Sequence, residues 1–180
     1  SSLSLVSELS MLSKLSLDKV PFYFEKIKAK DFFEEYTAYV ADTLGEADIE
    51  FIYNFECDED REINIDPAQF RRVLNNLIDN SRKYGAEDGT AKIMLSVRNG
   101  ENGHTEISIE DNGQGVPADE RDKIFETFYR GDKARTGHKN GSGLGLAITK
   151  QITDRHGASI RADESELGGL KVIIDLPQAK

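Results

Sequence analysis

The stretch NNLIDNSRKYG (75–85) sets Asn76, Asn80 and Lys83 at successive helical steps. They lie beside an apolar or small stripe made by Phe70, Val73, Leu74, Leu77, Ile78 and Ser81. Asparagine is a mediocre helix former because its amide competes for backbone groups. Two of them in line beside a buried stripe therefore ask for a purpose. An amide oxygen is a hard, neutral donor suited to Mg²⁺, an ion that keeps several waters and bridges phosphates. Lys83, one turn beyond Asn80, is placed to pair with a phosphate oxygen. Taken alone, the pair reads equally well as chance surface polarity.

Two glycine-rich segments lie downstream. In residues 105–111, Thr105, Ile107 and Ile109 share one face of a strand, and period two sets Asp111 on that same inward face. A carboxylate at the edge of a core needs a partner. DNGQGVP follows, where Gly113 and Gly115 permit a tight turn and a close ligand approach. Read by itself, this is also an Asp-capped turn. NGSGLGLAI then leads into a helix through Gly141, Gly143 and Gly145, with Leu144, Leu146, Ala147 and Ile148 on it. A glycine-rich entry to a helix is a ready anion site. It is neither a Walker A loop nor a dinucleotide fingerprint. Just before it, 131–143 holds no apolar residue larger than alanine, and Arg130, Lys133, Arg135 and Lys139 cluster there. Four cations beside a glycine-rich helix start, in an acidic chain, point to phosphate. The same loop also reads as a solvated, flexible segment able to close over a ligand.

These residues need a frame. Strands are expected over 22–28, 49–55, 91–98, 105–111, 158–162 and 169–176, and helices over 30–44, from Asp66-Pro67 to Gly85, and over 143–156. Ile49, Phe51, Tyr53 and Phe55 alternate inward; so do Ile93, Leu95 and Val97, and Leu170, Val172, Ile174 and Leu176. One-faced alternation implies an α+β fold with a mostly antiparallel sheet covered on one face by helices. Residues 1–18 carry Leu5, Leu9 and Leu12 at helical spacing, either as a frayed tail or as the end of a helix from an upstream helical hairpin.

Composition narrows the function. The net charge of −10 with no basic stripe excludes a nucleic-acid partner. Cys57 is the sole cysteine, so no internal disulfide forms, which fits a reducing cytoplasm. No apolar run approaches the roughly 20 residues of a membrane helix, and there is no signal peptide. The Ser-Ser start reads as a piece cut from a longer protein.

Taken in order, the segments resemble the catalytic, ATP-binding domain of bacterial sensor histidine kinases, in the superfamily shared with gyrase, a heat-shock chaperone and mismatch-repair ATPases. NLIDNSRKY resembles the N box, DNGQGVP the first glycine box, IFETFYRG the F box and GSGLGLAI the second glycine box, over roughly residues 20–177. The resemblance implies a two-layer α/β sandwich of Bergerat type binding ATP and Mg²⁺ beneath a flexible lid at about 130–142. It implies Asn80 on Mg²⁺, Asn76 and Lys83 near the phosphates, and Tyr84 near the base or ribose. Asp111 would accept from the adenine amino group in a pocket shaped by Gly113 and Gly115. Ile124, Phe125, Phe128 and Tyr129 would anchor the lid, with Arg130 and Arg135 on phosphate. Gly141, Ser142, Gly143, Leu144, Gly145 and Leu146 would form the phosphate cradle.

The ATPase branches carry a glutamate four residues before the metal-binding asparagine, where it activates water; here that position is Asn76. Asp79 lies about 100° round the helix from Asn80 and does not replace it. This favours a kinase that keeps ATP for a protein histidine. His104, His138 and His156 do not lie in a helical-hairpin context, and His156 reads as structural. The acceptor is therefore expected upstream, with 1–18 as the remnant of the dimerisation and phosphoacceptor domain and 19–180 as the catalytic domain. The implied partners are ATP, that upstream domain and, indirectly, a response regulator. The parent is expected to be a homodimer and this fragment a monomer. The domain is expected in the cytoplasm, its parent anchored in the bacterial membrane. Alternatives are a degenerate interaction module, an anti-sigma-factor serine kinase, which generally lacks a clear F box, and a water-activating ATPase.

Overall fold

The computed structural model describes residues 2–83, 89–127, 129 and 143–180. In chain order these form α1 (Ser2–Ser16), β1 (Glu25–Lys28), α2 (Ala29–Glu46), β2 (Glu50–Glu56), β3 (Glu62–Ile65), α3 (Pro67–Lys83), β4 (Lys92–Asn99), β5 (Thr105–Asp111), α4 (Gly145–Arg155), β6 (Ser159–Glu164) and β7 (Leu170–Leu176). Short 3₁₀ turns fall at Glu101–Gly103 and Ala118–Lys123. No described helix is long and apolar enough to cross a membrane.

The main sheet runs β2-β4-β5-β7-β6. Its neighbours are antiparallel except β2 and β4, which are parallel. Parallel neighbours need a long crossover, and α3 lies within it. Alternation along β4, β5 and β7 turns Ile93, Leu95, Val97, Ile107, Ile109, Val172 and Ile174 to one buried face. The α3 stripe of Phe70, Val73, Leu74, Leu77, Ile78 and Ser81 is buried as its spacing predicts. Each fully buried Leu, Ile or Phe in this layer stabilises by about 1.5–3 kcal/mol. Asp66 caps α3 as expected: its Oδ1 accepts the Gln69 N–H at 3.1 Å.

Two expectations are corrected. A strand begins at Glu25 rather than residue 22. Residues 22–24 lie outside any strand; Tyr23 N–H donates instead to Asp66 Oδ2, and Phe22 and Phe24 stack on each other. The sequence reading also passed over β3, which pairs β1 in a separate two-stranded sheet. Four residues with only Ile63 and Ile65 inward are too short for a period to stand out.

α1 is a helix docked at its C-terminal end. Leu15 is fully buried, Arg155 Nη2 donates to the Leu15 carbonyl at 2.5 Å, and Arg155 pairs with Asp18. Leu5, Val6 and Leu9 remain exposed.

Candidate ATP site

Asp111 ends β5 on the core side and is 3% exposed. Its Oδ1 accepts the Gly113 N–H at 2.9 Å and the Leu170 N–H at 3.2 Å. Ser81 on α3 adds a side-chain hydrogen bond. Burial pushes the carboxyl above its usual range, partly offset by the Gly113, Leu170 and Ser81 donors, with Glu110 adding to the rise. The result is an oriented carboxylate, desolvated and under-compensated: an acceptor that gains from a further donor.

At the other side of α3, Asn76 Nδ2 donates to the Gly145 carbonyl at 3.3 Å and to Thr149 Oγ1 at 3.4 Å. Thr149 Oγ in turn donates to the Gly145 carbonyl at 2.9 Å. The α3 turn from Asn76 to Ser81 thus bridges the first turn of α4 and the Asp111 carboxyl. Asn80 sits on that turn, half-buried, with no side-chain hydrogen bond to a described residue. Lys83 is exposed one turn further on. Gly143 has φ +76°, and Leu144, which precedes α4, is fully buried. Gly145 opens α4, and Leu146 packs partly buried against the core.

Ile124 is buried, Phe125 and Tyr129 pack half-buried against the core, and Tyr129 Oη donates to Glu120 at 2.8 Å. Together they hold the segment that leads to residue 130. Tyr84, Phe128, Arg130, Arg135, Gly141 and Ser142, with Lys133 and Lys139, lie outside the described residues.

The model of the histidine kinase-, DNA gyrase B- and HSP90-like ATPases matches residues 65–180, which hold all four segments singled out above. This chain belongs to that ATPase family. The sensor histidine kinase WalK of Bacillus subtilis strain 168 is 37% identical over 176 residues, 96% of this chain and 28% of the relative. The sensor protein kinase WalK of Staphylococcus epidermidis strain ATCC 35984 is 42% identical over 114 residues, 63% of this chain and 18% of the relative. This chain therefore spans less than a third of either relative's length. Among solved structures, the mycobacterial sensor histidine kinase MprB is 28% identical with TM-score 0.69, covering 86% of this chain and 97% of that one. Full-length ShkA in complex with AMPPNP gives TM-score 0.81 at 23% identity, over 99% of this chain and 36% of that one, a likeness of fold.

Within this nucleotide-binding fold, the structure adds groups the sequence reading did not single out for the site. Ser81 was read only as a small member of the stripe. The residues between the strands expected at 158–162 and 169–176 carry no expected role, yet Leu170 supplies an amide to Asp111, and Gly169 lies against the carboxylate. A Cβ on Gly169 would come within 2.1 Å of Asp111 Oδ1, 2.5 Å of Gly113 N and 2.7 Å of the Asp111 carbonyl oxygen. The backbone of Gly115, at φ +70°, approaches Gly169 from the opposite turn. The Gly168-Gly169 doublet was the available signal. Gly169→Ala is expected to destabilise the fold by about 1–2 kcal/mol and to weaken ATP binding about tenfold. Urea denaturation and calorimetry read the two separately, and unchanged affinity would show that the turn does not shape the site.

Proposed function

We propose that this chain is the ATP-binding catalytic domain of a sensor histidine kinase, which passes the ATP γ-phosphoryl group to a histidine on an upstream helical domain. The observation that carries the reading is the buried Asp111 carboxylate, oriented by two backbone amides within a chain of this ATPase family. It suits the amino group of adenine. Asn76 supports a kinase over a water-activating ATPase: an amide takes no proton at neutral pH, and this one is spent joining α3 to α4.

Asn80 fits a metal ligand because its hard amide oxygen has no hydrogen-bond partner among the described residues. Mg²⁺ is an ion held chiefly by phosphates and water, with one or two ligands from the protein. When bound, Mg²⁺ would neutralise phosphate charge. The chain's own work is positioning. Asp111, Gly113 and Gly115 hold the base, with Tyr84 near base or ribose. Asn76 fixes the first turn of α4, so that Gly141, Ser142, Gly143, Leu144, Gly145 and Leu146 cradle phosphates. Lys83, Arg130 and Arg135 neutralise them, while Ile124, Phe125, Phe128 and Tyr129 anchor the lid. The acceptor imidazole nitrogen attacks the γ-phosphorus, the bond to the β–γ bridging oxygen breaks, and ADP leaves with that electron pair.

The acceptor lies elsewhere. His156 is buried and doubly bonded, His104 of the β4–β5 turn pairs with Asp175 of β7, and His138 lies outside the described residues. The exposed Leu5, Val6 and Leu9 of α1 suit the remnant of a dimerisation helix. A homodimeric parent, anchored in the membrane and signalling to a response regulator, completes the reading.

Calorimetry of ATP into the chain, with Mg²⁺ and with EDTA, tests it. Binding is expected to strengthen with Mg²⁺, and Asn80→Ala to lose about tenfold only in its presence. Folded protein that binds ATP in neither condition would refute the reading. If ATP binds, phosphoryl transfer to an added helical domain is the next assay.

A further inference from the structure

Period two turns Glu110, the residue before Asp111, to the opposite face of the sheet. Glu110 is nevertheless 2% exposed and Ser165 is 4% exposed. Ser165 Oγ donates to Glu110 Oε1 at 3.0 Å and accepts the Leu167 N–H at 3.0 Å. The backbone of Ser165 closes the β6–β7 turn: its N–H donates to the Gly169 carbonyl at 2.8 Å, and its carbonyl accepts the Gly168 N–H at 3.0 Å. That turn then reaches the end of β5. Gly169 N–H donates to the Asp111 carbonyl at 3.0 Å, and Leu170 N–H to Asp111 Oδ1 at 3.2 Å.

We propose that Glu110 and Ser165 are positioning residues for the Asp111 carboxylate, pinning the turn whose Gly169 amide holds the Asp111 carbonyl and whose Leu170 amide aims the carboxylate at the 6-amino group of adenine. The proposal rests on the reading of Asp111 as the adenine acceptor. A continuous path supports it: Glu110 holds Ser165, Ser165 holds Gly168 and Gly169, and Gly169 and Leu170 hold Asp111. Each link is a hydrogen bond, and the path starts and ends on adjacent residues of one strand. Stability alone is a poor reason for the pair, because a buried carboxylate and hydroxyl are replaced at little cost by apolar groups of the same shape. Geometry is a better one. Gly169 leaves no slack, since even a methyl group there would meet the carboxylate. A turn free to shift by a fraction of an ångström would therefore turn Asp111 as well.

The test measures binding of ATP and of purine riboside triphosphate, which lacks the 6-amino group, to the same chain with Mg²⁺ present. The variants are Ser165→Ala, Glu110→Ala and Glu110→Gln, with urea denaturation alongside. The wild-type chain is expected to prefer ATP. Ser165→Ala and Glu110→Ala should cut that preference about fivefold while leaving affinity for the analogue within about twofold. Glu110→Gln should restore the preference, because its amide oxygen still accepts from Ser165. Equal losses for both nucleotides, no loss for either, or a glutamine variant that behaves as alanine would overturn the proposal. A wild-type chain that binds both nucleotides equally well would remove the adenine reading of Asp111, and the proposal with it.

Discussion

Asp111→Asn is expected to lower ATP affinity about a hundredfold and to leave the empty chain at least as stable as the parent. The two effects share one cause. Burial raises the Asp111 carboxyl above its ordinary value in the folded chain, despite the Gly113, Leu170 and Ser81 donors. A group whose folded value is raised contributes stability below its unfolded value and loses it as pH rises through the folded one. Burying the charged form of this group therefore carries a penalty in the folded chain. Asparagine removes that penalty, and its oxygen still accepts from the Gly113 and Leu170 amides. Its NH₂ then takes the place of the second carboxylate oxygen. A donor there meets the adenine amino group, also a donor, so one hydrogen bond becomes a repulsion. Calorimetry with ATP and urea denaturation near neutral pH measure the two quantities on one preparation. An asparagine variant that binds ATP as tightly as the parent would remove Asp111 from the base pocket. One that loses more than about 2 kcal/mol of stability would show that the charge is well compensated in the empty site.

A trade of stability for a committed acceptor is common at functional sites, and here it was partly legible in the sequence. The reading required only period two: Thr105, Ile107 and Ile109 face inward, so Asp111 must. The same logic found the buried α3 stripe, because a period of 3.6 residues survives in any long amphipathic helix. Pairing order was not legible in the same way. Alternation in residues 49–55 tells which side chains face the core, and all four expected residues pack against it. It does not tell which strand lies alongside. The parallel β2–β4 pair follows from the α3 crossover, a three-dimensional fact with no local signature.

The site divides along the same line. Asn76, Asn80, Asp111 and the glycines sit in short, dense segments, so their types and spacing were visible. What aims them is remote in sequence. Leu170 is 59 residues from the carboxylate it holds, and Asn76 is 69 residues from the Gly145 carbonyl it binds. Asn76 also illustrates how a residue type constrains less than its partners do. The sequence reading set it near the phosphates. In the structure its amide nitrogen is committed to the first turn of α4.

His156 shows how much of the frame hangs on one buried ring, and its removal is expected to cost about 3–4 kcal/mol of stability at pH 7.5. The ring is enclosed by Phe22, Phe24 and Phe70, with centroids at 5.9, 5.0 and 5.6 Å. Its Nε2 accepts the Asp66 N–H at 3.1 Å, so the proton must sit on Nδ1, which donates to the Ile152 carbonyl at 2.8 Å. One neutral tautomer thus ties α4 to the start of α3, where the Asp66 carboxylate holds Tyr23 and Gln69. Protonation would turn Nε2 into a donor facing another donor. Burial lowers the affinity of His156 for that proton below its ordinary value of 6.5, against smaller opposing effects of the Ile152 carbonyl and the Asp66 charge. The sign follows. With the folded value depressed, the contribution is fully present above the unfolded value and is lost as pH falls through the folded one. Wild-type stability should therefore fall below pH 6.5 by up to about 1.4 kcal/mol per pH unit from this group. His156→Ala has no such proton to bind. The gap between the two proteins in urea denaturation should accordingly narrow by about 1 kcal/mol between pH 7.5 and pH 5.5. A gap that stays constant over that range would mean that the folded ring takes up its proton as readily as the unfolded one, so that burial does not depress His156.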